Sequence, residues 1–352
     1  MIPDASAPPS GLASGYPGDW RERLRRLPKA ELHLHLEGSV APQDLRELAL
    51  RQGHAAAAGQ AATLYSYRDF SGFLQAFKTV SQLLAKPEDY AWVLRRLASA
   101  LKAQGVVYAE LIVSVGVIHW KRMAWQPVWE ALETERRRIA ADQGPRLAWI
   151  FDAVRQFGDE AAAQVLEEAL RCRRDGPVAA FGIGGDEAAI AASAFRALYA
   201  RAAAAGLHTT IHAGESCGPE SVWSALRELR PERIGHGIQS AADPELMAQL
   251  ARDRIWLEVC PTSNLRTGVT ASPAAHPLRR LWEAGVPITL ATDDPAMFET
   301  SLLGEYERLA EWGFGWNDLL RMLDNSFAAS FLPADERQNW RERLAQAAGA
   351  GA

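Results

Sequence analysis

Four short clusters hold the side chains best suited to chemistry: His33-Leu-His35, His212 with Glu215, Gly235-His236-Gly237, and Thr292-Asp293-Asp294-Pro295. On a strand, residues two apart share a face, so His33 and His35 point the same way and two imidazoles so placed can bind one ion. A lone His-x-His also arises by chance, with packed core histidines as the competing reading. His212 offers a third nitrogen. Glu215 falls in the loop above it, where a carboxyl can stand beside an activated water without holding the ion; the plain alternative is a solvated loop glutamate. Glycines on either side of His236 let the backbone approach and leave the ring unobstructed, against the alternative of a satisfied core histidine. Adjacent on a strand, Asp293 and Asp294 project to different sides. Asp293 then completes the coordination, while Asp294 meets a substrate or caps a helix begun by Pro295. Taken together, His33, His35, His212 and Asp293 with an open position for water describe a hydrolytic site for one zinc ion per chain.

These clusters must be held by strand ends. Apolar runs rich in Val, Ile and Leu predict strands at Glu31–Leu36, Val106–Val113, Leu147–Val154, Val178–Ile183, His208–His212, Arg233–His236, Ile255–Val259 and Ile288–Thr292. Helical patterns lie between them. One opens at Pro87 and stops at Gly105, another starts from Asp243 as N-cap, and Gly176, Gly206 and Gly285 each end a helix just before a strand. The alternation predicts an α/β fold, a (β/α)8 TIM barrel, with extra helices inserted after strand 1 between Gln43 and Gly105. The rival is an open doubly wound sheet. The position of the four clusters favours the barrel, because barrel enzymes keep their sites at the C-terminal strand ends. Within the insertion, Tyr67–Leu84 carries Phe70, Phe73, Leu74 and Phe77 on one stripe, which reads as a packed helix or as a lid over the barrel mouth.

A chain of 352 residues, 48% hydrophobic, has ample material for one such core. Its net charge of −5 argues against a nucleic-acid surface. No apolar stretch reaches the roughly 18 residues of a membrane helix, so no membrane partner is expected. Cys172, Cys217 and Cys260 are too isolated for a disulfide framework, which points to a reducing compartment and the cytoplasm. Residues 1–20, rich in Pro, Ser, Gly and Ala and without a basic start, read as a flexible leader rather than a signal peptide, with residues 21–352 as a single domain.

In order and spacing, His33-Leu-His35-Leu-Glu37-Gly38, His212-Ala-Gly-Glu215, Gly235-His236-Gly237 and Thr292-Asp293-Asp294-Pro295 resemble the signature of the adenosine deaminase family. The likeness spans Leu27 to Phe331 and takes in Gly105-Val-Val-Tyr-Ala-Glu110 and Gly184-Gly185-Asp186-Glu187. It implies a small-molecule adenine nucleoside as substrate and zinc held by His33, His35, His212 and Asp293. It further implies that Glu215 handles the proton at purine N1 and His236 orients the attacking hydroxide. By the same likeness Asp294 bonds N7, the Gly185 backbone meets N3 and Glu37 faces the ribose. A protonated Glu215 would need a desolvated setting.

Two departures bear on the substrate. Adenosine deaminases usually have an aspartate where this chain has Gly182, and Arg-Tyr-Ser-Pro after the second strand where it reads Ile112-Val-Ser-Val-Gly-Val-Ile-His-Trp120. Both features are more similar to bacterial relatives acting on 6-amino-6-deoxyfutalosine, a menaquinone precursor, which stands beside adenosine; free adenine is the alternative. Along Ser114–Arg122, Trp120 offers stacking and Lys121 with Arg122 a seat for a carboxylate, unless Trp120 packs under the lid and both cations face water. A two-metal amidohydrolase also resembles the chain in His-x-His, but many need a lysine ending strand four, and Val178–Glu187 has none. The Cys-x-x-Cys of the other zinc deaminase type is missing as well. A barrel retired to binding would be expected to have lost ligands that are all present here.

Overall fold

The computed structural model describes residues 15–54, 58–59, 61 and 63–349. Eight parallel strands pair in sequence order: β1 (Lys29–His35), β2 (Val106–Val113), β3 (Arg146–Val154), β4 (Val178–Gly184), β5 (His208–Ala213), β6 (Arg233–His236), β7 (Trp256–Val259) and β8 (Ile288–Leu290). The ring closes where β8 runs on to β1 through a parallel bridge between Leu34 and Asp293. There His35 N donates to Asp293 O at 2.8 Å, and Asp293 N donates to His33 O at 3.0 Å. The fold is thus the (β/α)8 barrel, and the doubly wound alternative falls away.

Strand register decides which side chains look inward. His35 pairs with Ile112, Ile112 with Ile150, Ile150 with Ala180 and Ala180 with His208, so one level of the interior is set by positions in register around the ring. Ile112, Ile150 and Ala180 form a small apolar cluster of their own, with Phe331 packed against it from below. Leu32, Leu34, Leu111 and Phe151, on the opposite strand faces, join the large core beneath the outer helices. Deeper still, charge replaces hydrocarbon. Arg233 is fully buried, pairs with Glu110 and Glu258, and lies 3.6 Å over the Phe331 ring. Such a group is tolerated only because its charge is answered on both sides.

The insertion after β1 contains helices Pro42–Arg51, Phe70–Leu83 and Pro87–Ala103. Asp69 caps the middle one by accepting from Gly72 N at 2.8 Å, so it starts three residues later than the apolar stripe predicts. Its ends are tied down. Tyr67 Oη donates to Met297 O at 2.7 Å before the helix, and Lys121 Nζ donates to Ser81 O at 2.6 Å and Leu84 O at 2.7 Å at its end. Of the expected leader, residues 1–14 lie outside the described residues. Tyr16 donates to Phe314 O at 2.8 Å and Trp20 is buried at the start of helix Trp20–Arg26, so this stretch packs on the barrel. No helix among the described residues is long and apolar enough to cross a membrane.

Candidate active site

The ends of β1 and β5 and the segment after β8 bring His33, His35, His212 and Asp293 together, with their ligand atoms all within 4.8 Å of one another. The Nε2 atoms of His35 and His212 face each other at 3.4 Å, and Asp293 Oδ1 lies 3.3 Å from His35 Nε2 and 3.4 Å from His33 Nε2. Buried lone pairs turned on each other in this way repel unless a cation stands among them, and His33 Nε2 has no hydrogen-bond partner. Three imidazole nitrogens and one carboxylate suit zinc or a neighbouring divalent metal. The residues present fit such an ion. A second cluster, His236, Cys260 and Asp293, shares the aspartate, and its donor atoms also lie within 4.8 Å of one another.

Backbone strain marks the same place. His236 and Asp293 sit in the left-handed region at φ 60° and 63°, where residues with a Cβ are uncommon. The twist at Asp293 has a consequence that strand alternation misses. Instead of projecting to opposite sides, Asp293 and Asp294 both line the cavity. Asp294 caps no helix; its Oδ1 is buried without a partner. It fits only because residue 38 is glycine, since a Cβ there would stand 1.8 Å from Oδ1.

Electrostatics sorts the carboxyls. Burial, then the charges of Asp293 and Glu187, push Glu215 well above the usual carboxyl range. Burial and the neighbouring Asp293 do the same to Asp294. Glu37 accepts from Ser114 N at 3.1 Å and is raised by burial to about 7, with Oε2 unpaired. Burial lowers His236 to about 4, leaving it neutral, with Nε2 3.6 Å from Glu215 Oε2 and 3.9 Å from Asp293 Oδ2.

A cavity of about 360 Å³ opens from this centre to the surface. His35, His212, Glu215, His236, Asp293, Asp294 and Gly185 line its deep end. Phe70, Phe73, Leu74, Phe77, Lys78 and Ser81 of the tied helix form its roof, while Trp120 and Phe157 stand at the rim. Trp120 is 44% exposed, its ring stacked at 6.2 Å on Phe157, with Lys78 Nζ 5.3 Å from its centroid. The expected cation pair is corrected here. Lys121 is committed to Ser81 O, Leu84 O and Tyr90 Oη, and neither it nor Arg122 lines the cavity. The rim cation is Lys78, which makes no ion pair with a described residue.

Several functional neighbours escape a reading by motif. Glu258 Oε2 accepts from His33 Nδ1 at 2.8 Å while its other oxygen lies 2.6 Å from Arg233 Nε. Ser263 Oγ donates to Asp293 Oδ2 at 2.7 Å. The Glu187 carboxylate accepts from the backbone N–H groups of Gly214, Glu215 and Ser216 at 2.7–2.9 Å and from Ser221 Oγ, fixing the loop that carries Glu215. Asp152, at the end of β3, reaches the cavity opposite Gly182, its partner in register; a Cβ on Gly182 would lie 3.1 Å from Asp152 Oδ1. The only signal in the sequence was a charged residue inside an apolar strand, as at Asp152, Arg233 and Glu258.

A closed barrel with an acidic, histidine-rich pocket at its C-terminal mouth is the design of a metal-dependent hydrolase. The model of the family described as Adenosine deaminase matches residues 28–347. An aminodeoxyfutalosine deaminase of Streptomyces coelicolor is 39% identical over 90% of this chain and 84% of its own length. An adenine deaminase of Sinorhizobium fredii is 36% identical over 89% of this chain and 96% of its own. Among solved structures, an amidohydrolase from Burkholderia ambifaria with bound zinc superposes with a TM-score of 0.87 at 26% identity, covering 96% of this chain and 95% of that one. The chain belongs to the adenosine deaminase family.

Proposed function

We propose that the protein hydrolyses the 6-amino group of an adenine nucleoside to a 6-oxo group with release of ammonia, using one zinc ion per chain, in the cytoplasm. The substrate favoured is a nucleoside extended beyond the sugar, such as 6-amino-6-deoxyfutalosine. The observation that carries this reading is the cavity, which runs from the histidine cluster to an aromatic rim at Trp120, where Lys78 Nζ lies over the indole. A purine alone leaves that outer part unused. The 39% relatives named for aminodeoxyfutalosine support it; those named for adenine support the second reading, the free base.

His33, His35, His212 and Asp293 would hold the metal, which when bound lowers the pKa of water to about 7 and so supplies a nucleophile at neutral pH. The remaining steps belong to the chain. Glu215, kept protonated by its buried and acidic surroundings, gives its proton to N1 as attack at C6 pushes electrons onto that nitrogen. Purine N7 is an acceptor, so Asp294 meets it as a protonated donor, the state its neighbours favour. Gly185 N–H serves N3, Glu37 the ribose, and His236 steadies the incoming oxygen. The phenylalanine roof excludes water from the reacting centre. Steady-state kcat/KM for adenine, adenosine, adenosine monophosphate and 6-amino-6-deoxyfutalosine tests the reading. Free adenine leading every nucleoside would overturn it.

A further inference from the structure

A chain of hydrogen bonds runs from a backbone amide to His236 and determines which of its nitrogens carries the proton. It starts at Leu278 N, which can only donate and lies 3.2 Å from His276 Nδ1. That nitrogen must therefore accept, and a buried, neutral His276 keeps its one proton on Nε2. His276 Nε2 lies 3.2 Å from Asn264 Oδ1, an acceptor, which turns the amide NH2 of Asn264 toward His236. Asn264 Nδ2 then donates to His236 Nδ1 across 3.3 Å. With Nδ1 accepting, the proton of a neutral His236 sits on Nε2, the buried atom that has no partner and faces Glu215 and Asp293 across the pocket.

We infer that Asn264 and His276 are positioning residues that fix His236 as an Nε2–H donor. The consequence for the reaction, which rests on the deaminase reading above, is that His236 cannot take the proton of the attacking water. It holds the oxygen by donating to it, and the water's proton is left to Glu215, whose carboxylate is freed when its own proton passes to N1. None of the three residues in the relay other than His236 reaches the cavity, so their influence passes through the ring alone.

The test uses the full, metal-loaded chain labelled with ¹⁵N-histidine. In the wild-type protein the His236 Nδ1 resonance should be that of a bare, accepting nitrogen and Nε2 that of a protonated one. The reverse assignment overturns the inference whether or not any variant folds, and whatever the protein deaminates. Asn264→Leu removes the donor; kcat should fall on the order of 10²-fold with KM changed by less than about threefold and metal content retained, since the interaction is made at the reacting oxygen. The His236 signals should then become a mixture of both tautomers. His276→Phe, one step further back, should shift the spectrum and kcat in the same direction by less. A loss of stability in either variant with the His236 spectrum and kcat unmoved would reduce both residues to packing and refute the relay.

Discussion

Replacing Glu258 by glutamine tests how far the metal site depends on what lies behind it. The carboxylate is shared between His33 Nδ1 at 2.8 Å and Arg233 Nε at 2.6 Å. Burial opposes its charge, but Arg233 and the His33 hydrogen bond outweigh that and hold it below the usual carboxyl range. Glutamine has one oxygen for two donors. If the oxygen stays on His33, the new NH2 group confronts the Arg233 N–H. If it turns to Arg233, the NH2 faces His33 Nδ1, which must then accept, and the imidazole proton moves to Nε2, the atom offered to the metal. Either arrangement weakens the ligand, by about 10–100-fold in metal affinity, or ~1.4–2.7 kcal/mol. The stability of the metal-free protein should also fall, toward the lower end of the ~3–5 kcal/mol typical of a broken buried pair, because Glu110 still answers Arg233. Competition against a chelator gives the metal dissociation constant, and urea unfolding of the metal-free chain gives the stability. A metal constant within about twofold of wild type alongside a loss of stability would refute the argument that Glu258 tunes His33.

Glu215→Gln should lower kcat by about 10²–10⁴-fold with metal content intact, since the amide keeps the shape but exchanges no proton, whereas Asp293→Ala should lose the metal; elemental analysis with single-turnover rates separates them. Lys78→Met keeps the stem over Trp120 but removes the charge. It should lower kcat/KM about tenfold for an anionic extended nucleoside and leave adenosine unchanged, and equal losses on both would deny Lys78 a part in specificity. Burial raises the Asp152 carboxyl to about 8 in the folded chain, against an ordinary 3.8. The unfolded chain therefore releases this proton first as pH rises from about 4 to about 8, and stability should drain away across that window; Asp152→Asn should flatten the Tm profile there, and an unaltered slope would contradict it.

Much of the barrel could be read from the chain because parallel strands buried on both faces are written as uninterrupted apolar runs, and their ends by the polar residues that follow. The metal-type cluster was legible for a related reason. His33, His35 and His212 lie on regular strands, where spacing alone gives direction. Asp294 did not follow that rule because Asp293 leaves the strand for a left-handed conformation, which no periodicity announces. Glu258, Arg233 and Asn264 act through partners on other strands or loops, and their meaning depends on register between segments far apart in sequence. Lys78 and Lys121 were a matter of which of two surface cations faces inward. That depended on where Asp69 starts the roof helix and on carbonyls at its far end, neither of which the apolar stripe encodes.

The bridge between Leu34 and Asp293 ties assembly to timing. The first strand leaves the ribosome carrying two of the four ligands, and the last arrives only when nearly the whole barrel has been made. The seam that closes the ring is made by the backbones of the ligands themselves. A nascent or truncated chain therefore has no complete site with which to trap metal prematurely. Binding through all four side chains would thus come only with the finished fold, and a chain holding an ion in that way would be one whose ring has closed.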